Sequence, residues 1–251
     1  MQKIPIAIAA LLTWAAGFVD AVGFLSLGHI YTANMSGNSV AVGIQWVSQN
    51  WPEMVRRIWP VSGYVVGLLF CRILIQIAAR ARIKSVASIA FLIEIAMLAP
   101  VLLGSAVAAA SGMAFLYVGL LAIAMGIQNA ALTHFSSLTV HTGFVTGTLV
   151  KFAEEFTKYL TWSFDRIRTP GISITEVFAQ SSRQKAFLAS FWLAAIWIAY
   201  VVGAYCGAVG DHSFKLRSLA VPILMLLILV GVDRYRPLAI REEQDQSKLS
   251  T

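Results

Sequence analysis

This chain is short of charge. Only 12% of its 251 residues are Asp, Glu, Lys or Arg, while 58% are hydrophobic. A soluble domain carries roughly 25% charged residues. With so little charge, the chain would expose apolar surface in water, so an ordinary soluble globular core is excluded and the solvent is lipid. Cysteine is also scarce. Cys71 and Cys206 are the two present, and both sit inside apolar runs, where a thiol acts as a small hydrophobe. A disulfide framework and a cysteine-based metal site are therefore excluded. Enzyme signatures are missing as well. There is no Gly-x-Ser-x-Gly, no His-Glu-x-x-His and no phosphate loop, so the sequence reads as that of a non-enzyme with no cofactor and no metal. The net charge of +7 does not point to nucleic acid. The Lys and Arg residues fall mainly between apolar runs, where they orient a membrane protein and touch anionic head groups.

Six apolar segments are present, each long enough to cross hydrocarbon, for which about 20 residues suffice. They run from about Ile4 to Leu27, Ile58 to Ala79, Ser85 to Leu103, Met113 to Phe135, Ala186 to Val209 and Leu216 to Val232. The first, preceded by Lys3, resembles a signal peptide, but further spans follow it and an uncleaved helix is expected. Two other segments differ. Tyr31 to Val47 opens with small and polar residues before turning apolar. Thr139 to Phe164 opens with His141, Thr142 and Gly143 and later carries Lys151, Glu154, Glu155 and Lys158. Four charges would face hydrocarbon in a full crossing, so half-helices entering from the membrane interior are expected. The fold class is thus an all-α membrane protein of about six transmembrane helices plus two re-entrant segments.

Loop charge fits this count. With six crossings and a cytoplasmic N-terminus, the inside loops hold Lys3, Arg80, Arg82, Lys84, Lys151, Lys158, Arg166, Arg168, Arg183, Lys185, Arg234, Arg236, Arg241 and Lys248. Arg56, Arg57, Lys215 and Arg217 fall outside, and Arg72 within a span. If both odd segments crossed, Arg80, Arg82 and Lys84 would move outside, so the positive-inside rule favours six by a small margin. Residues 1–233 read as one transmembrane domain with a cytoplasmic linker over 165–184. Residues 234–251 read as a charged cytoplasmic tail.

The two halves of that domain resemble each other. Gly17-Phe-Val-Asp-Ala21 aligns with Gly126-Ile-Gln-Asn-Ala130, and Thr32 to Asn38 with Thr142 to Thr148. Tyr64-Val-Val-Gly67 recurs letter for letter as Tyr200-Val-Val-Gly203. The repeats span about 1–110 and 111–233. Three crossings per unit would give the copies opposite orientations, and inverted repeats with broken helices are a signature of secondary transporters with a midplane site. Duplication kept for packing alone gives the same pattern.

Several polar residues lie at depth. Asp20 sits inside the first span, where a carboxylate faces a cavity or a partner. Its repeat mate Asn129 keeps the shape without the charge. Ion coupling and a structural hydrogen bond to the backbone of a broken helix are both open for Asp20. The two half-helix starts, Asn34, Ser36, Gly37 and Asn38 in one copy and Thr142, Thr146, Gly147 and Thr148 in the other, offer glycine and capping side chains. Two such N-termini meeting at the midplane would suit an anionic ligand. Plain capping is the alternative. Gln128 adds a polar group beside Asn129, and His141 is a better relay candidate than His29, with His134 also nearby. Arg72 and Glu94 are expected to pair across neighbouring spans, unless Arg72 snorkels to the surface.

Gly17-Phe-Val-Asp-Ala21 with Phe24-Leu-Ser-Leu-Gly28 and Met35-Ser-Gly-Asn38, and Gly126-Ile-Gln-Asn-Ala130 with Thr142 and Thr146-Gly-Thr148, resemble the two signatures of the YoaK-like proteins, a domain-of-unknown-function family. The family usually has Thr where Ser36 stands, a change that keeps the hydroxyl. The resemblance covers nearly the whole chain. It implies a multi-pass protein of a bacterial inner membrane and supplies no substrate. The residues themselves point to a small secondary transporter or permease. Its site would combine Asp20, Asn34, Ser36, Gly37 and Asn38 with Gln128, Asn129, His141, Thr142, Thr146, Gly147 and Thr148. A channel and a membrane scaffold or assembly factor are the alternatives. Expected partners are the bilayer and a small solute; a second copy of the chain is compatible with the sequence.

Overall fold

A computed structural model of the chain describes residues 3–81, 83, 85–104, 113–135, 145–169 and 174–235. Among the described residues every regular element is helical. In chain order these are α1 (Lys3–Ser26), α2 (Met35–Val47), α3 (Trp51–Arg80), α4 (Val86–Leu103), α5 (Ala114–Phe135), α6 (Val145–Arg168), α7 (Ile174–Ser181), α8 (Lys185–Phe214), a 3-10 turn (Lys215–Leu219) and α9 (Ala220–Tyr235).

Local chemistry sets the ends. Gly28, with φ +84°, closes α1, and the His29 N–H reaches back to the Phe24 carbonyl at 2.9 Å. That bond satisfies a carbonyl the helix end leaves open. The Asn34 side chain caps α2 by accepting the Gly37 N–H at 3.2 Å. Asn50 caps α3 through the Glu53 N–H at 3.3 Å, with Pro52 in the first turn, where its missing donor costs nothing. The Gln184 side chain caps α8 at Ala186 and Phe187.

Among the described residues, five segments are long and apolar enough to cross a membrane: Ile6–Ser26, Trp51–Arg80, Val86–Leu103, Ala114–Thr133 and Lys185–Tyr235. The protein is multi-pass. The last segment contains two helices, because the chain folds back after Phe214. A Cβ on Gly210 would lie 3.0 Å from the Ser218 Cβ, so the 3-10 turn returns beside α8. α6 departs from the expected half-helix. It runs unbroken for 24 residues and ends inside the expected linker, which also contains α7. The periodicity explains this. Lys151, Glu154 and Lys158 share one flank of α6, while Leu149, Phe156, Leu160, Phe164 and Ile167 form an exposed apolar stripe. α2, at 13 residues, is about 20 Å long, short of the roughly 30 Å of hydrocarbon.

The core rests on two tight pairs, α1 with α8 and α3 with α5. Glycine allows both. A Cβ on Gly203 or Gly207 would fall 2.0 Å from the Trp14 carbonyl oxygen or 2.5 Å from that of Phe18. Both positions advance by four, so α1 and α8 run parallel. On α3, Gly63 faces the Gly119 carbonyl and Gly67 that of Ile123, so α3 and α5 are parallel as well. Small residues four apart let membrane helices approach closely, where packing rather than hydrophobic exclusion drives association. α4 lies against α5 and α9. Gly104 at its end touches Tyr117 near the start of α5, and Ser88 at its start binds Asp233 at the end of α9. Both neighbours are therefore antiparallel to α4.

Candidate functional site

Four side chains from four helices form the polar centre. Asp20 of α1 is 4% exposed. Its Oδ1 accepts hydrogen bonds from the Thr32 N–H at 2.6 Å, the Ala33 N–H at 2.8 Å and the Thr32 hydroxyl at 3.2 Å. Its Oδ2 accepts one from the Tyr200 hydroxyl of α8 at 2.8 Å. The carboxylate thus ties the segment leading into α2 to Tyr200 of α8. Four donors on one buried carboxylate replace the water it gave up.

A matching arrangement lies on the other pair. The Asn129 Nδ2 of α5 donates to the Tyr64 hydroxyl of α3 at 2.5 Å, and both residues are buried. The glycines below these pairs match too. A Cβ on Gly17 would fall 2.2 Å from the Tyr200 carbonyl oxygen, and one on Gly126 would fall 2.2 Å from that of Tyr64. Tyr64 also lies within electrostatic reach of Asp20, so the two helix pairs adjoin. The site can hold a charge on one side and only a dipole on the other.

A profile of the family described as "Protein of unknown function (DUF1275)" matches residues 8–232. The chain belongs to the DUF1275 family. It is also 27% identical over 218 residues to the UPF0700 transmembrane protein YoaK of Bacillus subtilis strain 168, covering 86% of this chain and 88% of that protein. No solved structure matches. The resemblance read from the two sequence signatures is therefore established. In this DUF1275 chain both signatures lie inside the matched region, and so do both tyrosines.

The expected site residues do not all come together. Asp20 and Asn129 stand at the centre. Asn34, Ser36 and Gly37 are occupied with one another: the Asn34 Oδ1 accepts from the Ser36 hydroxyl at 2.8 Å as well as from the Gly37 N–H, and Ser36 is exposed. These residues cap a helix. Thr146 and Gly147 are exposed on α6. Asn38 and Thr148 turn inward at equivalent places. Asn38 donates to the Tyr31 carbonyl at 2.7 Å, leaving its Oδ1 without a partner. Gln128 is fully buried with neither amide atom bonded. His141 and Thr142 lie outside the described residues, as does the side chain of His134. The exposed His29 lies edge-on to Phe24 and accepts from Arg57 through its carbonyl at 2.7 Å, a structural role.

Arg72 and Glu94 do not pair. The Arg72 guanidinium donates to the Thr133 hydroxyl at 2.7 Å, while both Glu94 oxygens lack a partner. Arg72 is exposed on α3 and turned to Thr133 of α5, whereas Glu94 is buried on α4. Tyr64 and Tyr200 were legible as a repeated motif but not as the polar partners of Asn129 and Asp20. The signal was their constant spacing from Gly67 and Gly203.

Proposed function

We propose that the chain is a small secondary transporter of the cytoplasmic membrane, built from two inverted copies of one unit, with Asp20 as its coupling group. α1 to α4 form one copy and α5 to α9 the other. Support for the duplication comes from the paired geometry: Gly17 on Tyr200 beside Gly126 on Tyr64, Asp20 with Tyr200 beside Asn129 with Tyr64, and α2 and α6 starting at the aligned residues Met35 and Val145.

Helix directions support six crossings. If α2 and α6 do not cross, successive spans alternate, and α1 and α8 come out parallel, α3 and α5 parallel, and α4 antiparallel to both α5 and α9. Those are the observed pairings. If α2 and α6 both crossed, α4 and α9 would run parallel, against the Ser88–Asp233 bond. Six crossings make three per unit, which inverts the second copy. Both chain ends then lie on one side, the cytoplasmic side by the positive-inside rule.

The observation that carries the function is the Asp20 carboxylate, which holds the lead-in of α2 and Tyr200 of α8 together in one of the two pairs only. A proton arriving on it would weaken four acceptor interactions at once and loosen α2 from α8. Release of the proton would restore them. A conformational switch biased by one ionisable group is the element coupled transport requires. The solute is small, and the donor-rich helix starts suit an anionic one.

The test is charge movement in proteoliposomes on a solid support. Organic anions, amino acids and inorganic ions are applied to wild type and Asp20→Asn. Solute-dependent transient currents present in wild type and absent in the variant are expected. Steady flux surviving the substitution would indicate a channel and remove Asp20 from coupling. A protein silent to every solute by current and by radiolabelled uptake would reverse the proposal in favour of a scaffold.

A further inference from the structure

Two further polar side chains, on neighbouring helices, are buried without hydrogen-bond partners. Glu94 of α4 is 1% exposed and Gln128 of α5 is fully buried. All four of their side-chain oxygen and nitrogen atoms lack a hydrogen-bond partner. Buried polar atoms are nearly always bonded, and each one left unpaired costs stability. Two such side chains in one protein of this size call for an explanation.

The helix register brings them to one depth. α4 and α5 run antiparallel and touch where Gly104 meets Tyr117. Glu94 lies ten residues back along α4 from that contact, about 15 Å. Gln128 lies eleven residues on along α5, about 16 Å. Eleven residues are close to three turns, so Gln128 shares the face of α5 that carries Tyr117. Glu94 sits in the middle of the buried stripe of α4, with Ala87, Ala90, Phe91, Leu98 and Val101. Cys71 of α3, itself buried, lies within electrostatic reach of Glu94.

Among the described residues the surroundings offer no counter-charge. On α3, Arg72 is turned to Thr133. On α5, Tyr117 is about 15 Å away along the helix. On α9, Asp233 is bound to the N–H and hydroxyl of Ser88, six residues or about 9 Å from Glu94 along α4. In the 3-10 turn, Lys215 is held by Asp211 at 3.4 Å, and Arg217 is exposed. Among the described residues no set of His, Cys, Asp and Glu suits a metal ion.

We propose that Glu94 and Gln128 form a proton-binding site between α4 and α5. A carboxyl in hydrocarbon without a counter-ion is accommodated in its neutral form. A carboxamide is suited to serve both states of such a group. Its oxygen accepts from the protonated carboxyl, and its N–H donates to the carboxylate once the proton leaves. The proton is taken from and returned to water, and no other bond changes. This site goes beyond the transport reading, since it binds a proton whether or not a solute moves.

Infrared difference spectroscopy of the full chain in lipid, stepped through pH, tests it without any solute. Wild type is expected to show a protonated-carboxyl band that titrates. The band is lost in Glu94→Gln, kept in Asp20→Asn, and shifted in frequency and midpoint in Gln128→Met. Glu94→Gln mimics the neutral acid in shape, and the wild-type titration and Gln128→Met stand even if that variant folds poorly. A band that never titrates, one insensitive to Gln128→Met, or one that responds to sodium at fixed pH would overturn the proposal.

Discussion

The α1–α8 pair and the α3–α5 pair are two versions of one joint. Each seats a glycine on a tyrosine carbonyl, and each places a polar side chain three residues later against that tyrosine's hydroxyl. They differ by the atoms that distinguish a carboxylate from a carboxamide. In the first joint the tyrosine donates to Asp20; in the second it accepts from Asn129. The backbone joint needs no charge, because the second version closes as tightly as the first. The charge has therefore been added to a joint that is complete without it, and it recruits Thr32 and Ala33. Position by position, then, the glycines should behave alike in the two joints, and Asp20 and Asn129 should not.

The largest effects are expected where the joints are alike. Gly17→Val and Gly126→Val each place a Cβ about 2.2 Å from a carbonyl oxygen, which backbone can relieve only by separating the helices. Each should cost about 3 kcal/mol, the upper end of overpacking penalties. Gly43→Val is the control, since nothing lies within 4 Å of its Cβ position. Thermal unfolding in detergent, followed by intrinsic fluorescence, checks this. If Gly17→Val is harmful and Gly126→Val neutral, the two joints are not equivalent.

A smaller effect is expected where they differ. Asp20→Ala strands the N–H groups of Thr32 and Ala33 and the Tyr200 hydroxyl. Where the cavity admits water, each stranded donor costs about 0.7 kcal/mol, and the three together about 2 kcal/mol. The damage should also be local. Hydrogen exchange at Thr32 and Ala33 should rise well before exchange in α5. Protection unchanged at those two amides would separate Asp20 from the lead-in to α2.

Much of this was legible in the letters. The long apolar segments became helices because about 20 apolar residues leave the backbone no other partner in lipid, although α3 begins at Trp51, seven residues before the expected Ile58. Asp20 was legible because a lone carboxylate in an apolar run is costly. Its role was not, because hydrogen bonds to Thr32 and Ala33 depend on where the chain turns after Gly28. The half-helix starts were legible as glycine and hydroxyl clusters. That Asn34 spends its side chain on Gly37 and Ser36 depends on cap geometry that composition does not contain. α6 was misjudged in length because its charges were counted without their phase. Glu94 was assigned to Arg72 because both lie on adjacent spans, yet Arg72 is exposed and bound to Thr133 while Glu94 is buried.

The finest test of the comparison removes one oxygen atom from each joint. Tyr64→Phe deletes the neutral acceptor of Asn129, and Tyr200→Phe deletes a donor to the Asp20 carboxylate. Hydrogen bonds between membrane helices average about 0.6 kcal/mol, and bonds to an ionised group are about twice as strong as neutral ones. Tyr64→Phe should therefore cost about 0.6 kcal/mol and Tyr200→Phe about 1.2 kcal/mol. A double-mutant cycle decides the cause. In an Asp20→Asn background the first joint has the chemistry of the second, so the cost of Tyr200→Phe should fall to that of Tyr64→Phe. If it stays at the higher value, the excess comes from packing around the Tyr200 ring. If the two single variants cost the same in wild type, the carboxylate charge contributes nothing to the joint, and its retention at Asp20 is left to coupling alone.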